Sequence, residues 1–488
     1  MKKNTKRQPD CVLFTEDMKA THTILMPNML PVHLELVGQV LRNEGYKAEL
    51  LSAQGPEIIE TGLRYVHNDA CYPALLIVGQ FIYAIQSGRY DPHKIAFIYF
   101  QTGGGCRASN YIALIRRALA QAGYGYVPVI SLNFGGLEKH PGFRMSLPIF
   151  HRMMYAVIYG DIITSLVLQV RPYEVHKGDA EALAARYTHT LADEMKQEGI
   201  SFKRAKKRCR DMLCDFAAIE QVRVPKVKVG VVGEIYVKFS PLANNNLVDF
   251  LIEQGAEVYM PGFFDFGMYF IYNNLIDYKL YRRGRKAHPL MRLVFRVMRN
   301  AQNDIIRLIR EDGRFRAPTP FTRTVSLIEG YIGLGCHMGE GWLLPAEMLE
   351  LYDEGVKNII CTQPFGCLPN HICGKGMMKP LREAYPDMNL VAIDYDASAS
   401  RVNQENRIKL MLANARERME EESAAQSGSD PQSSAEAQSG SDPQSGAEAQ
   451  SGSDPQSSAE AQDGINPQNG AETQNGAEAP EEAAALPN

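Results

Sequence analysis

Twice along this chain, short apolar runs alternate with longer runs of helical apolar spacing, and that alternation limits the folds available to it more than any other feature. Between residues 20 and 165 the segments "HTILMPN", "KIAFIYFQ" and "VPVISLNF" read as buried strands. Between them lie "HLELVGQVLRNEGY", "CYPALLIVGQFIYAIQSG" and "SNYIALIRRALAQAGYG", which carry the 3.6-residue apolar period of helices. Gly45 and Gly123 end two of these helices, and Pro73 sits in a first turn, where a missing amide costs nothing. The same pattern returns between 225 and 420, with "KVKVGVVGEI", "VKNIICTQ" and "MNLVAIDYD" as strands and a helical insertion over about 264–312. Strands separated by helices must run parallel, so the expected fold class is α/β. The expected domains are an N-terminal α/β cluster-binding domain over 20–165, a helical connector over 166–224 and a C-terminal α/β domain over 225–420.

Residues 421–488 belong to another class of sequence. "SGSDPQ" recurs at 427, 439 and 451 in a stretch of Ser, Gly, Gln, Ala, Glu and Pro with almost nothing to bury. Ordering it would cost conformational entropy without an apolar return, so disorder is expected. This tail holds thirteen acidic residues and no Lys or Arg, so a net charge of −4 conceals a body that is positive by about nine. The basic clusters "KRAKKR" (203–208) and "YRRGRK" (281–286) read as solvated helix faces, and no nucleic-acid partner is expected. No stretch reads as a membrane span of roughly 20 apolar residues, and no secretory h-region follows the basic N-terminus. Nine scattered cysteines do not resemble a secreted disulfide framework. A reducing, cytoplasmic setting fits them better.

Three of those cysteines occupy the region where open α/β sheets bind ligands, outside the carboxyl ends of strands, and a fourth is placed to reach it from a helix start. Cys106 follows "KIAFIYFQ" in the loop "QTGGGCRASNY", Cys361 ends "VKNIICTQ", and Cys367 lies in the following loop "PFGCLPNH". Cys71 stands at a helix start. Gly103, Gly104 and Gly105 give the backbone room and amide donors for a bulky anion held by Cys106, because helix starts and amide nests favour negative charge. Cys71, Cys106 and Cys367 are therefore the candidate ligands of one metal centre, with Cys361 in reserve; Cys373 is a weaker candidate, and Cys209 and Cys214 read as packing residues. Zinc is the rival metal, but structural zinc sites usually show C-x₂₋₄-C pairs, and the one pair here at that spacing, Cys209 and Cys214, reads as packing residues on a helix. Glu234 and Glu340 are candidate acid–base groups or structural hydrogen-bond partners, and Asn370 and His371 are placed to support Cys367. His67, Asn68 and Asp69 read first as cap residues for the next helix.

The segments "NDACYPALLIVGQ", "QTGGGCRASNYIALIRRAL", "VGVVGEIYVKFSPLANNNL", "GEGWLLPAEM", "QPFGCLPNH" and "IDYDASASRVNQENRIKLML" together resemble the 2-hydroxyacyl-CoA dehydratase superfamily, more narrowly the dehydratase-like portion of acyl-CoA dehydratase activase-related proteins. The likeness spans about residues 20–415. It implies flavodoxin-like or Rossmann-like domains and a [4Fe–4S] cluster, or a larger double-cubane cluster, held by cysteines of both domains. Cys71, Cys106 and Cys367 match the ligand positions best. It further implies a lyase, or a double-cubane-type reductase. In that family an ATP-hydrolysing activase injects one low-potential electron, and a ketyl radical on the CoA thioester then lets water leave. The implied partners are a separate activase, a second dehydratase-like subunit or a second copy, and an acyl-CoA. No Walker loop matches, and "GYIGLGCHMGEG" has the wrong glycine spacing for a dinucleotide fingerprint, so the chain does not read as the ATPase. The alternative is a non-catalytic iron–sulfur electron carrier or maturation component.

Overall fold

The computed structural model describes residues 11–67, 69–101, 105–132, 138–198 and 201–427. Within them the protein is mixed α/β, with two four-stranded sheets in which every neighbouring pair is parallel. The first sheet comprises β1 (Thr23–Met26), β2 (Lys47–Leu50), β3 (Ile95–Phe100) and β4 (Val129–Leu132), in the order β2-β1-β3-β4. The second comprises β5 (Val227–Gly233), β6 (Ala256–Tyr259), β7 (Asn358–Pro364) and β8 (Asn389–Tyr395), in the order β6-β5-β7-β8. The two orders are the same. Each reverses direction once, between β1 and β3 in one sheet and between β5 and β7 in the other, as in flavodoxin-like sheets.

The central strands form because their residues fit a surface buried on both faces. β3 reads Ile-Ala-Phe-Ile over four consecutive buried positions, and β7 buries six of its seven residues. β2 is different. It is an edge strand reading Lys-Ala-Glu-Leu, and of these only Ala48 is buried. Neither it nor the helix Pro56–Tyr65 that follows is among the elements expected from the sequence.

The helix Tyr72–Gln86 fixes the most consequential position in the first half. It is buried almost throughout, and its N-cap residue is Cys71. It crosses the helix Pro56–Tyr65 at very close range. A Cβ at Gly79 would stand 2.1 Å from the Ile58 carbonyl oxygen, and one at Gly62 would stand 2.3 Å from that of Leu75. Glycine at both places is what lets the two backbones touch.

Between the sheets come three long helices, Leu147–Val170, Asp179–Glu198 and Phe202–Ala217. The first runs across the boundary expected at 165. It is also, contrary to the sequence reading, long and apolar enough to cross a bilayer, but 67% of its most apolar stretch is buried inside the fold, as in a core helix. The insertion expected over 264–312 is a pair of helices, Phe263–Tyr281 and His288–Asp312. Phe81 and Phe97 of the first half and Val231, Ile360 and Ile393 of the second belong to one buried apolar cluster, and both sheets lie in one compact unit. The helix Arg401–Ser427 packs on β8 and continues past 420, because "EESAAQS" is still composed largely of helix-compatible residues. The rest of the expected disordered tail lies outside the described residues.

Candidate metal centre at the strand ends

Cys71, Cys106 and Cys367 each open a helical turn. Cys71 caps Tyr72–Gln86, and Cys106 caps the short turn Arg107–Asn110 at the end of β3. Cys367 follows β7 and precedes the π-turn Asn370–Gly374. Backbone amides of the turn that each thiol opens lower its pKa against burial, Ala74 at Cys71, Ala108 and then Arg107 at Cys106, and Asn370 at Cys367, while the Ala74 amide itself donates to the Cys71 carbonyl oxygen at 2.9 Å. The Asn370 side-chain amide adds a donor at 3.3 Å from Cys367 Sγ, and the His371 ring lies 2.9 Å from the Cys367 carbonyl oxygen. The Tyr111 hydroxyl stands 3.1 Å from Cys71 Sγ.

The three thiols share one region. Cys71 lies within electrostatic reach of both Cys106 and Cys367. Burial raises the Cys71 thiol far above its usual range, and the charge of Glu234 and then of Cys106 adds to this against the Tyr111 and Ala74 bonds. Cys106 is pushed up to about 11 by burial first, with Glu340 and Glu234 adding to it against the Ala108 amide. Cys367 is raised by burial, then by Glu340 and Cys71.

The two carboxyls come from the second half. Glu234, at the end of β5, accepts from the Val237 amide at 2.8 Å, and Glu340 accepts from the Ile235 amide at 3.1 Å. Both satisfy amides at the start of the helix Ile235–Phe239, which is the structural-partner reading made concrete. Burial nevertheless lifts both above the ordinary carboxyl range, and for Glu234 the neighbouring charge of Glu340 is the next cause. Behind them Lys238 and Glu347 form a buried ion pair at 2.9 Å.

A glycine closes the cradle. Gly339 has φ +59°, and a Cβ there would stand 3.1 Å from Pro369 and 3.6 Å from Cys106 Sγ. Its neighbour Met338 accepts the Gly105 amide on Sδ at 3.0 Å, which ties the Cys106 loop to the 333–342 loop. Gly103 and Gly104, expected to supply amides here, lie outside the described residues, as does Asn68. His67 and Asp69 form an exposed pair, and neither caps the helix.

Cys361 is fully buried within β7, facing Gly374, and burial raises it to about 12, with Glu347 as the leading charged neighbour and Glu340 also within reach. Cys209 is buried, as a packing residue should be, whereas Cys214 is exposed and accepts from Arg314 at 3.3 Å. Cys336 and Cys373 form a pair the sequence does not suggest, with their sulfurs 3.5 Å apart. Tyr111, Met338 and Gly339 also escape sequence reasoning, because their positions relative to the cysteines depend on which loops meet in the fold.

Three thiols and two carboxyls crowded into one largely desolvated region oppose one another's ionisation. A cationic guest would relieve that opposition, and soft thiol donors with polar side chains such as Asn370 and Tyr111 bonded to sulfur suit an iron–sulfur cluster. Among the described residues, no group of three or more His, Cys, Asp or Glu side chains is arranged to hold a single metal ion. A cluster places each thiolate on a different iron and so tolerates wider spacing. The donor set fits that group. Compared with family models and with curated proteins, the chain matches none.

Proposed function

We propose that Cys71, Cys106 and Cys367 hold a [4Fe–4S] cluster, or one cubane of a larger cluster, and that the protein is a cytoplasmic iron–sulfur protein of the 2-hydroxyacyl-CoA dehydratase type. One observation carries this reading: thiols from the two halves, each opening a helical turn, come within electrostatic reach of one another and of Glu234 and Glu340. When bound, the cluster supplies storage of a low-potential electron, which no side chain can offer. The protein's own residues supply the rest. The Asn370 side-chain amide donates to the Cys367 sulfur and thereby favours added negative charge. The Tyr111 hydroxyl does the same at Cys71. Burial raises the Glu234 and Glu340 carboxyls beside the centre above the ordinary range. The partners proposed are a separate ATP-dependent activase, a second dehydratase-like subunit or second copy, and an acyl-CoA.

Anaerobic reconstitution tests the assignment. Iron and sulfide analysis with electron paramagnetic resonance should find a cluster in the wild type, and Cys71→Ala, Cys106→Ala and Cys367→Ala should each lose most of it. A full complement of iron in any one variant removes that cysteine from the centre, and a wild type without iron ends the proposal. Turnover of 2-hydroxyacyl-CoA esters with activase and ATP supports dehydration or a related reduction. Cluster reduction without turnover assigns the chain instead to electron transfer or maturation.

A further inference from the structure

Two of the remaining cysteines face each other. Cys336 lies in the loop between the helices Phe321–Leu327 and Leu343–Asp353, and Cys373 lies in the π-turn Asn370–Gly374. Their sulfurs are 3.5 Å apart, so a bond between them needs an approach of about 1.5 Å. Cys336 is half-buried, while Cys373 is only 3% exposed, so Cys336 is the more readily reached of the two. This is the arrangement of an attacking thiol backed by a resolving one. Isolated π-turns are rare and concentrate at functional positions, and this one bears Cys373 at one end and the Cys367 partner Asn370 at the other.

We propose that Cys336 and Cys373 are a reversible dithiol–disulfide site whose oxidant is a low-molecular-weight disulfide of the glutathione class. The Cys336 thiolate attacks one sulfur of the disulfide, forming a mixed disulfide and releasing one thiolate. The Cys373 thiolate then attacks the Cys336 sulfur and expels the second. The two protein thiols lose two electrons and two protons, and the small disulfide becomes two thiols. The bond formed staples the 333–342 loop to the Asn370–Gly374 turn. The first of these touches Gly105 and Cys106 through Met338 and Gly339, and the second bonds Cys367 through Asn370. The site rests on these two sulfurs alone and does not require a cluster at Cys71, Cys106 and Cys367.

The test uses the full chain, purified under reductant and equilibrated anaerobically in glutathione buffers from reduced to oxidised. Free thiols are then alkylated and the nine cysteines mapped by peptide mass spectrometry. A single crosslinked pair, Cys336 with Cys373, should appear first and vanish on adding dithiothreitol. In Cys336→Ser, Cys373 should stay alkylatable in the same buffers. Hydrogen exchange in 333–342 and 370–374 should slow on oxidation of the wild type. Three results would each overturn the proposal: both thiols remaining alkylatable in the most oxidising buffer, either one pairing elsewhere first, or both masked by bound metal with no crosslink. If the Ser variant fails to fold, the wild-type map decides alone.

Discussion

The two halves of the molecule share a strand order and differ in how they treat buried acids. In the first half, Glu138 is gripped by Arg116 through bonds of 2.7 and 2.8 Å, with His140 and Cys11 beside it. Burial pulls its carboxyl upward, but those bonds outweigh it and hold the group well below the ordinary range. In the second half Glu234, Asp265, Glu340 and Glu350 are buried on amide and hydroxyl donors, and all four are raised, first by burial. One half uses charge pairing to hold its acid. The other holds carboxyls raised above the ordinary range, of which Glu234 and Glu340 lie within reach of the converging thiols, and strongly perturbed acids of that kind are commoner at working sites than in scaffolding.

The exception within the second half offers the hardest test. Lys238 and Glu347 are 1% and 5% exposed at the side chain, so Lys238→Ala leaves a carboxylate buried without its cation. We expect a loss of about 3–5 kcal/mol in denaturant unfolding at neutral pH. Lys238→Met with Glu347→Gln should recover most of it. Arg116→Ala, at the better solvated pair of the first half, should lose only about 1–2 kcal/mol. Equal losses from the two single variants would erase the distinction drawn between the halves.

Burial also divides the features that are legible in the sequence from those that are not. The central strands are legible because both their faces are buried, which leaves continuous apolar runs such as Ile95–Phe100. The edge strand Lys47–Leu50 is not, since it buries little and its residues have weak strand preference. At the candidate centre, Cys71, Cys106 and Cys367 can be singled out by their places at strand ends and helix starts. Of the 333–342 loop only Glu340 is singled out in the sequence, and nothing there puts Met338 or Gly339 beside the cysteines. Which loop reaches which is a property of packed helices, and a linear sequence carries no sign of it. The Cys336–Cys373 pair, 37 residues apart, is hidden for the same reason.

Helix packing separates the halves on a smaller scale. A methyl at Gly79 would meet the backbone of Ile58, which cannot turn aside, and must push apart the helix that presents Cys71. Gly79→Ala should cost about 1–3 kcal/mol and lower cluster retention after reconstitution. In the second half a methyl at Gly267 would meet only the flexible end of Met298 at 3.7 Å. Gly267→Ala should therefore stabilise by roughly 0.5–1 kcal/mol, the ordinary gain for replacing glycine within a helix. A neutral Gly79→Ala would show that the Cys71 helix has more freedom than the close crossing implies.

The acids themselves give the gentlest and most direct comparison. Asp265 accepts from Gln302 at 2.5 Å and is raised by burial and then by the charge of Asp161. Above about pH 4 the unfolded chain releases this proton while the folded chain keeps it, so stability falls as pH rises, by up to about 1.4 kcal/mol per pH unit. Glu138 works the other way. Its folded carboxyl is depressed, so its contribution is present above about pH 4.3 and is lost as pH falls. Asp265→Asn should flatten the decline on the neutral side and leave the acid side alone. Glu138→Gln should lower stability at neutral pH and flatten the acid side. Denaturant titrations across that range will resolve the two slopes, and variants that changed the same limb would mean that one half's acids do not behave differently from the other's.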